Sequence, residues 1–200
     1  YMKKNFLIIA DLDSTFEEFS EGSNEFDALV TFLNKFEEDF NCLITIHFIS
    51  GTSIEDLAER MEFFKFEYPE IYSRIDYSIL GRGKKYSREL NQIGAITTHY
   101  APYNKADGVK DIISCYGKPS ICGLCFLGDG KNDVPAFEMV KYYKNQFPYG
   151  ASNLAPRSRR DYDEIIGHVD IYSEKPRIVG CIDCLQRMSN LIESKIATFE

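Results

Sequence analysis

The segment FLIIADLDSTF, residues 6–16, determines how the rest of the sequence is interpreted. Five mostly apolar residues lead into Asp11, and a second carboxylate follows at Asp13. A continuous apolar run of this length is typical of a strand that is covered on both faces of its sheet. Side chains two residues apart lie on the same side of an extended chain. The segment therefore predicts a buried strand that brings two acidic side chains to one place.

Buried strands and amphipathic helices alternate along the chain. Strands are predicted in residues 42–50 and 121–129, with shorter ones in 145–152 and 168–173, and residues 75–87 are predicted to form a strand, a turn and a return strand. Helices are predicted in residues 23–40, 53–68, 104–117, 132–143 and from about 181 to 197. This alternation predicts an α/β fold with a parallel sheet between two layers of helices. The 200 residues contain no repeat and no long linker, so we expect one domain spanning residues 1–200.

The composition limits the partners of the protein. A formal net charge of −8 argues against a general nucleic-acid binder, because affinity for phosphate backbones needs a basic surface. A local basic pocket remains compatible with that charge. The sequence shows no signal-peptide pattern and no apolar run near the length of a membrane span. We therefore expect a cytoplasmic protein with reduced thiols and no membrane partner.

Two pairs of cysteines have a spacing of three. Cys122 and Cys125 fall in a predicted strand, where an odd spacing places them on opposite faces. Cys181 and Cys184 fall at the start of a predicted helix, where the same spacing places them on one face. A zinc or redox pair at 181 and 184 stays open, but ordinary packing of the thiols is favoured.

Polar residues follow three of the apolar strands, in LIIADLDST, IHFISGT and CFLGDGKND, and a helix that begins at NKADGV adds a lysine. Any one of these could be an ordinary turn, where Asp, Ser and Gly are common. In parallel α/β sheets, however, ligands bind beyond the carboxyl ends of the strands. Three polar strand ends and a lysine in this order favour a functional site.

These residues resemble a known family. DLDST at 11–15, Ser50 in ISGT, Lys105 in NKADG and GDGKND at 128–133 match, in order and spacing, the four motifs of the haloacid dehalogenase (HAD) superfamily of phosphohydrolases. The resemblance extends from about residue 6 to about 140, and the tail is similar in layout to the sugar-phosphatase branch. It implies a Rossmann-like, three-layer α/β/α fold.

The resemblance also implies roles for the acidic residues. Asp11 would be the nucleophile that forms an aspartyl phosphate, and Asp13 the general acid and base. Mg²⁺ would be held by Asp11, the main-chain carbonyl of Asp13 and Asp129. Asp133, with Asn132, would orient a metal-bound water or the lysine.

The remaining motif residues would bind the phosphoryl group. Lys105 would neutralise its charge, while Ser50 and the backbone N–H groups of Gly51 and Leu12 would hydrogen-bond its oxygens. Lys131 competes for the lysine role because it is closer in sequence to Asp129. The helix start at NKADGV favours Lys105.

The spacing between motifs leaves little room for a lid domain. Only 34 residues separate Thr15 from Ser50, and 54 separate Ser50 from Lys105. We expect a minimal cap, with a small hairpin insertion around residues 76–103. Such an open site admits a bulky substrate or is closed by a neighbouring subunit in a homo-oligomer.

Two basic clusters are candidates to bind a second anionic group of the substrate. The first contains Arg82, Lys84, Lys85 and Arg88, and the second contains Arg157, Arg159 and Arg160. The alternative for each cluster is solvated surface charge.

The expected function is a Mg²⁺-dependent phosphomonoesterase whose partner is a small phosphorylated substrate, such as a sugar phosphate. Three alternatives stay open. The first is a phosphatase of a macromolecule, either a phosphoprotein or a nucleic-acid 3′-phosphate. The others are a phosphomutase and a binding module without turnover.

Overall fold

The structure is a computed structural model that describes residues 2–18, 24–52, 54–80, 85–87, 92–94, 104–147, 152–156 and 162–197. Within them, the strands are β1 (Lys4–Ala10), β2 (Cys42–Ser50), β3 (Ile75–Leu80), β4 (Lys85–Ser87), β5 (Gln92–Gly94), β6 (Ile121–Leu127), β7 (Ser152–Pro156) and β8 (Ile171–Ser173). The helices are α1 (Glu25–Asp39), α2 (Ile54–Glu67), α3 (Pro69–Tyr72), α4 (Lys105–Tyr116), α5 (Val134–Tyr143), α6 (Tyr162–Ile165) and α7 (Arg177–Ala197).

All eight strands belong to one sheet with the order β5-β4-β3-β2-β1-β6-β7-β8. The neighbouring strands β3, β2, β1, β6, β7 and β8 all pair in parallel. Beyond β3, the sheet is extended by β4, which pairs antiparallel with β3, and by β5, which pairs antiparallel with β4. The strand order runs outward in opposite directions from the β1–β6 boundary. A reversal of this kind opens a crevice at the carboxyl ends of the two central strands.

The sheet is covered on both faces. Phe6, Ile8 and Ala10 of β1 join a buried cluster with residues of α1, α2 and α7. Leu7 and Ile9 join a second cluster with residues of α4 and α5. Successive strand residues point to opposite faces, so the continuous apolar run of β1 contributes to both layers. The predicted three-layer α/β/α fold with a mainly parallel sheet is confirmed.

One prediction about the cysteines is wrong. The register of β1 against β6 shifts between Asn5, which pairs with Ile121, and Phe6, which pairs with Gly123. Cys122 is the extra residue of this β-bulge, and the bulge reverses the alternation that follows it. Cys122 and Cys125 therefore lie in the same buried cluster, not on opposite faces. Cys181 and Cys184 share that cluster as well, which confirms their placement on one face of α7.

A second difference concerns the strand predicted in residues 145–152. The chain continues as a 3₁₀ turn through Lys144–Gln146, and β7 begins only at Ser152. The helical conformation persists beyond α5, so the strand is displaced toward the C-terminus.

Several expected features lie outside the described residues. Arg82, Arg88, Lys84 and Arg157 belong to this group, and Lys85 is described only as part of the β4 backbone. Within residues 76–103, β4 and β5 are described, whereas 81–84, 88–91 and 95–103 are not. The minimal cap therefore stays a prediction. In the described part of the chain, no helix combines the length and apolar character needed to cross a bilayer.

Candidate active site

The turn after β1 places the first two carboxylates. The Asp11 N–H donates to the Leu127 carbonyl at 2.8 Å, which ties the end of β1 to the end of β6. Ser14 adopts a left-handed conformation with φ 59°, and the Phe16 N–H returns to the Leu12 carbonyl at 3.0 Å. A left-handed backbone is uncommon for a residue other than glycine and is found in tight turns. The chain turns back sharply here, so that Phe16 is buried and Asp13 stays exposed.

Lys105, the first residue of α4, lies between two carboxylates. Its Nζ is 2.8 Å from Asp11 Oδ2 and 2.5 Å from Asp133 Oδ1. A cation at a helix N-terminus is opposed by the positive end of the helix dipole. Here the two carboxylates offset that cost. The helix is capped normally, because the Asn104 side chain accepts the Asp107 N–H at 3.0 Å.

Asp133 joins this lysine to the loop after β6. Its buried Oδ2 accepts the backbone N–H groups of Asp129 at 3.0 Å and Gly130 at 3.1 Å. Gly128 lies so close that a Cβ there would overlap the Asp133 carboxylate. Asp133 therefore fixes both the position of the Lys105 ammonium and the loop that carries Asp129.

The acidic groups of the site raise one another's proton affinity. The carboxylates of Asp11, Asp129 and Asp133 offer oxygen atoms that lie within 4.8 Å of one another. Burial and the charge of Asp133 raise the pKa of Asp11 to about 6. Burial and the charge of Asp11 raise the pKa of Asp129. Burial alone would lower the pKa of Lys105, but Asp133 and Asp11 raise it above its usual value. Three carboxylates surround one ammonium group, so the site has an excess of negative charge that a bound cation would offset.

The donor set fits a hard divalent cation. Both Asp133 oxygens are already bonded, one to Lys105 and one to the loop N–H groups. Asp133 is also buried, whereas Asp11 and Asp129 are each partly exposed, so the carboxylates of Asp11 and Asp129 are the pair that would hold a metal ion. Carboxylate oxygens without nitrogen or sulfur ligands are the set that suits Mg²⁺.

Asp13 lies on the open side of the site, and half of its side chain is exposed (50%). Its Oδ2 is 3.4 Å from the Ser50 hydroxyl, and its Oδ1 is 2.9 Å from Arg60 Nη2. The Ser50 Oγ also accepts the Thr52 N–H at 3.2 Å, which stabilises the turn after β2. The buried Ser50 hydroxyl thus links the turn after β2 to Asp13.

Most of the candidate site residues from the sequence analysis lie close together at the carboxyl ends of the strands. These are Asp11, Leu12, Asp13, Ser50, Lys105, Asp129 and Asp133. The Leu12 N–H donates to Asp11 Oδ1 at 2.9 Å. Gly51 is exposed beside Ser50, while Lys131 and Asn132 are exposed on the loop after β6.

Arg60, in α2, is a site residue that sequence reasoning missed. Its Nη2 contacts Asp13 Oδ1 at 2.9 Å and Glu17 Oε1 at 2.6 Å. Arg60 stands 47 positions after Asp13 among many charged residues of a surface helix. No spacing pattern connects the two, so the contact follows only from how α2 lies on the sheet.

Comparison with known proteins identifies the fold but not a close relative. No family model matches the chain, and no curated protein matches it. Among solved structures, the chain is similar to yhjK of Bacillus subtilis, described as a haloacid dehalogenase-like hydrolase protein. The similarity covers 93% of this chain and 94% of that one, with a TM-score of 0.54 and 13% sequence identity. At this identity the similarity shows that the chain has a HAD-like fold.

Proposed function

We propose that the protein is a Mg²⁺-dependent phosphomonoester hydrolase that works through an aspartyl-phosphate intermediate. The observation that carries the proposal is the group formed by Asp11, Lys105 and Asp133 at the carboxyl edge of a HAD-like sheet. The half-exposed carboxylate of Asp13 lies next to that group. One carboxylate is thus held by a lysine while a second one is open to solvent.

In the first step, an oxygen of Asp11 attacks the phosphorus of the ester. The new bond between Asp11 and phosphorus forms as the bond to the leaving oxygen breaks. Asp13 donates a proton to that leaving oxygen, which departs as an alcohol.

In the second step, water attacks the aspartyl phosphate. Asp13, now ionised, takes a proton from this water, and inorganic phosphate leaves while the Asp11 carboxylate is restored. Half of the Asp13 side chain is exposed, so water has access to it. This access favours hydrolysis over transfer to a second substrate, because a phosphomutase needs water to be excluded.

Cationic and hydrogen-bonding groups stabilise the transferring phosphoryl group. Lys105 supplies the fixed positive charge, and the Ser50 hydroxyl with the N–H groups of Leu12 and Gly51 supplies donors. When bound by Asp11, Asp129 and the carbonyl of Asp13, Mg²⁺ would supply the charge that offsets the dianionic ester. Asp133 holds Lys105 in place throughout.

The resemblance to sugar phosphatases favours a sugar phosphate or a similar small metabolite as substrate. The exposure of Asp13 favours a macromolecular phosphoester as the second candidate. The net charge of −8 disfavours the nucleic-acid version of that candidate. We also propose a cytoplasmic location for the protein.

The test is release of inorganic phosphate from a panel of esters, with and without Mg²⁺. The panel spans sugar phosphates, nucleotides, phosphopeptides and 3′-phosphorylated oligonucleotides. We expect metal-dependent turnover that Asp11→Asn abolishes and that Asp163→Asn, at an exposed position of α6, leaves unchanged. Phosphate release that survives Asp11→Asn would contradict the nucleophile assignment, and no release from any ester would contradict the hydrolase.

A further inference from the structure

A cavity of about 340 Å³ lies between the turn after β1 and helices α1 and α2. Among the described residues, the rings of Phe16, Phe26, Phe63 and Phe64 line it, and we call it the aromatic pocket. Three of these rings are buried, whereas Phe63 is 41% exposed. A cavity of roughly 150 Å³ is enough to hold benzene, so the aromatic pocket has room for a ring with substituents.

The aromatic pocket adjoins the carboxylate that would protonate the leaving group. Arg60 lines the pocket and holds Asp13 at 2.9 Å. Asp11 and Lys105 are paired at 2.8 Å at the carboxyl end of β1, where the phosphoryl group would bind. An ester whose phosphorus faces Asp11 and whose leaving oxygen faces Asp13 therefore extends its leaving group toward α2.

The polar groups at the rim of the pocket are paired with protein groups. Glu17 lies 2.6 Å from Arg60 and 3.7 Å from Arg177. Glu18 accepts a hydrogen bond from the Tyr68 hydroxyl at 3.2 Å. These charged groups are held by protein partners, and the lining that stays open to a ligand is mainly apolar. An apolar ring therefore gains contact with this lining, above all with the exposed ring of Phe63.

We propose that the aromatic pocket is the leaving-group subsite and that it selects phosphate esters of aromatic alcohols over sugar phosphates. The inference rests on the proposed hydrolysis and deepens it by naming the substrate class, which here differs from the sugar phosphate that the resemblance alone favours. In this arrangement Arg60 is a positioning residue, because it fixes the Asp13 carboxylate at the mouth of the pocket through its bond to Glu17.

The first measurement compares kcat/KM for benzyl phosphate, ethyl phosphate and glucose 6-phosphate. All three release an alkyl alcohol, so differences report the subsite more than the reactivity of the ester. We expect benzyl phosphate to exceed ethyl phosphate by about 10-fold or more, the scale of burying one apolar ring. Phe63→Ala should reduce this ratio by about 3- to 10-fold, the scale of one aromatic contact.

The matched control is Phe66→Ala. Phe66 lies on the same helix and is 72% exposed, and it is not among the residues that line the aromatic pocket. Its substitution should leave the benzyl-to-ethyl ratio unchanged. A ratio near one, a preference for glucose 6-phosphate, or an equal effect of both substitutions would overturn the inference while leaving the hydrolase intact.

A second measurement does not depend on turnover. Calorimetric titration compares 2-phenylethylphosphonate and propylphosphonate, the stable analogues of benzyl and ethyl phosphate, in the presence of Mg²⁺. Tighter binding of the aromatic analogue, lost in Phe63→Ala and kept in Phe66→Ala, supports the subsite even if no ester is hydrolysed. Equal affinities would overturn it. Failure of the hydrolase and failure of the subsite are thus separate results.

Discussion

At the scale of single residues, the Asp11 carboxyl has an unusual proton affinity. Burial and the neighbouring Asp133 raise its pKa from 3.8 to about 6. Between these two values the folded chain holds a proton that the unfolded chain has released. Stability linked to this group therefore falls as the pH rises from 3.8 to about 6, and it stays lower above that range.

The substitution Asp11→Asn removes this charge and should stabilise the metal-free protein. At pH 7 we expect the variant to melt at least ~2 °C above the wild type, and the difference should shrink toward pH 4. Circular dichroism melts in the presence of a chelator measure both values. A lower Tm for the variant at pH 7 would mean that the ion pair with Lys105 outweighs the cost of burying the carboxylate.

Lys105 and Lys131 are distinguished by their surroundings. Lys105 is 14% exposed between two carboxylates, whereas Lys131 is exposed on the loop after β6. Removing the charge that faces the phosphoryl group should cost about 10²-fold or more in kcat/KM for Lys105→Ala. Lys131→Ala should have little effect in the same phosphate-release assay. A larger loss of kcat/KM for Lys131→Ala than for Lys105→Ala would show that Lys131, not Lys105, faces the phosphoryl group.

At the scale of elements, the loop between β6 and α5 depends on one close approach. Gly128→Ala would push its Cβ into the Asp133 carboxylate and should lower the free energy of unfolding by about 1–3 kcal/mol. Gly130→Ala is the control, because a Cβ there has no neighbour within 4 Å and the backbone N–H is kept. Urea denaturation of both variants gives the comparison. Equal losses would show that the Gly128–Asp133 contact does not constrain the loop.

The longer elements were largely predictable, since continuous apolar runs identify β1, β2 and β6 and helical periodicity identifies α1, α2, α4, α5 and α7. The four-residue helices α3 and α6 were not predicted. The bulge at Cys122 could not be predicted, because the register depends on both paired strands, whereas the sequence of β6 shows only the alternation of its own side chains. The contact of Arg60 with Asp13 could not be predicted either, because it joins side chains of two elements that are distant in sequence. Polar residues at strand ends were the signal that located Asp11, Ser50 and Asp129, because the parallel topology brings such ends together.

At the scale of the whole molecule, metal binding should increase the free energy of unfolding. A ligand that binds only the folded state adds about 2.7 kcal/mol at a hundredfold excess over its Kd. For a chain of this size that corresponds to a Tm increase of about 5 °C or more. Mg²⁺ should produce this shift in the wild type but not in Asp129→Ala, measured by differential scanning fluorimetry. The control Asp163→Ala should respond like the wild type. An equal Tm shift in Asp129→Ala would show that the Asp129 carboxylate does not bind the metal.

The pairing of β1 with β6 also has a kinetic consequence. The hydrogen bond from the Asn5 side chain to the Ser120 carbonyl, at the start of that pairing, joins residues 115 positions apart. Contacts between such distant segments form late, because a long loop must close first. We therefore expect the two halves of the acidic cluster to meet late in folding. An ion that bridges them should slow the rate of unfolding and leave the rate of folding unchanged.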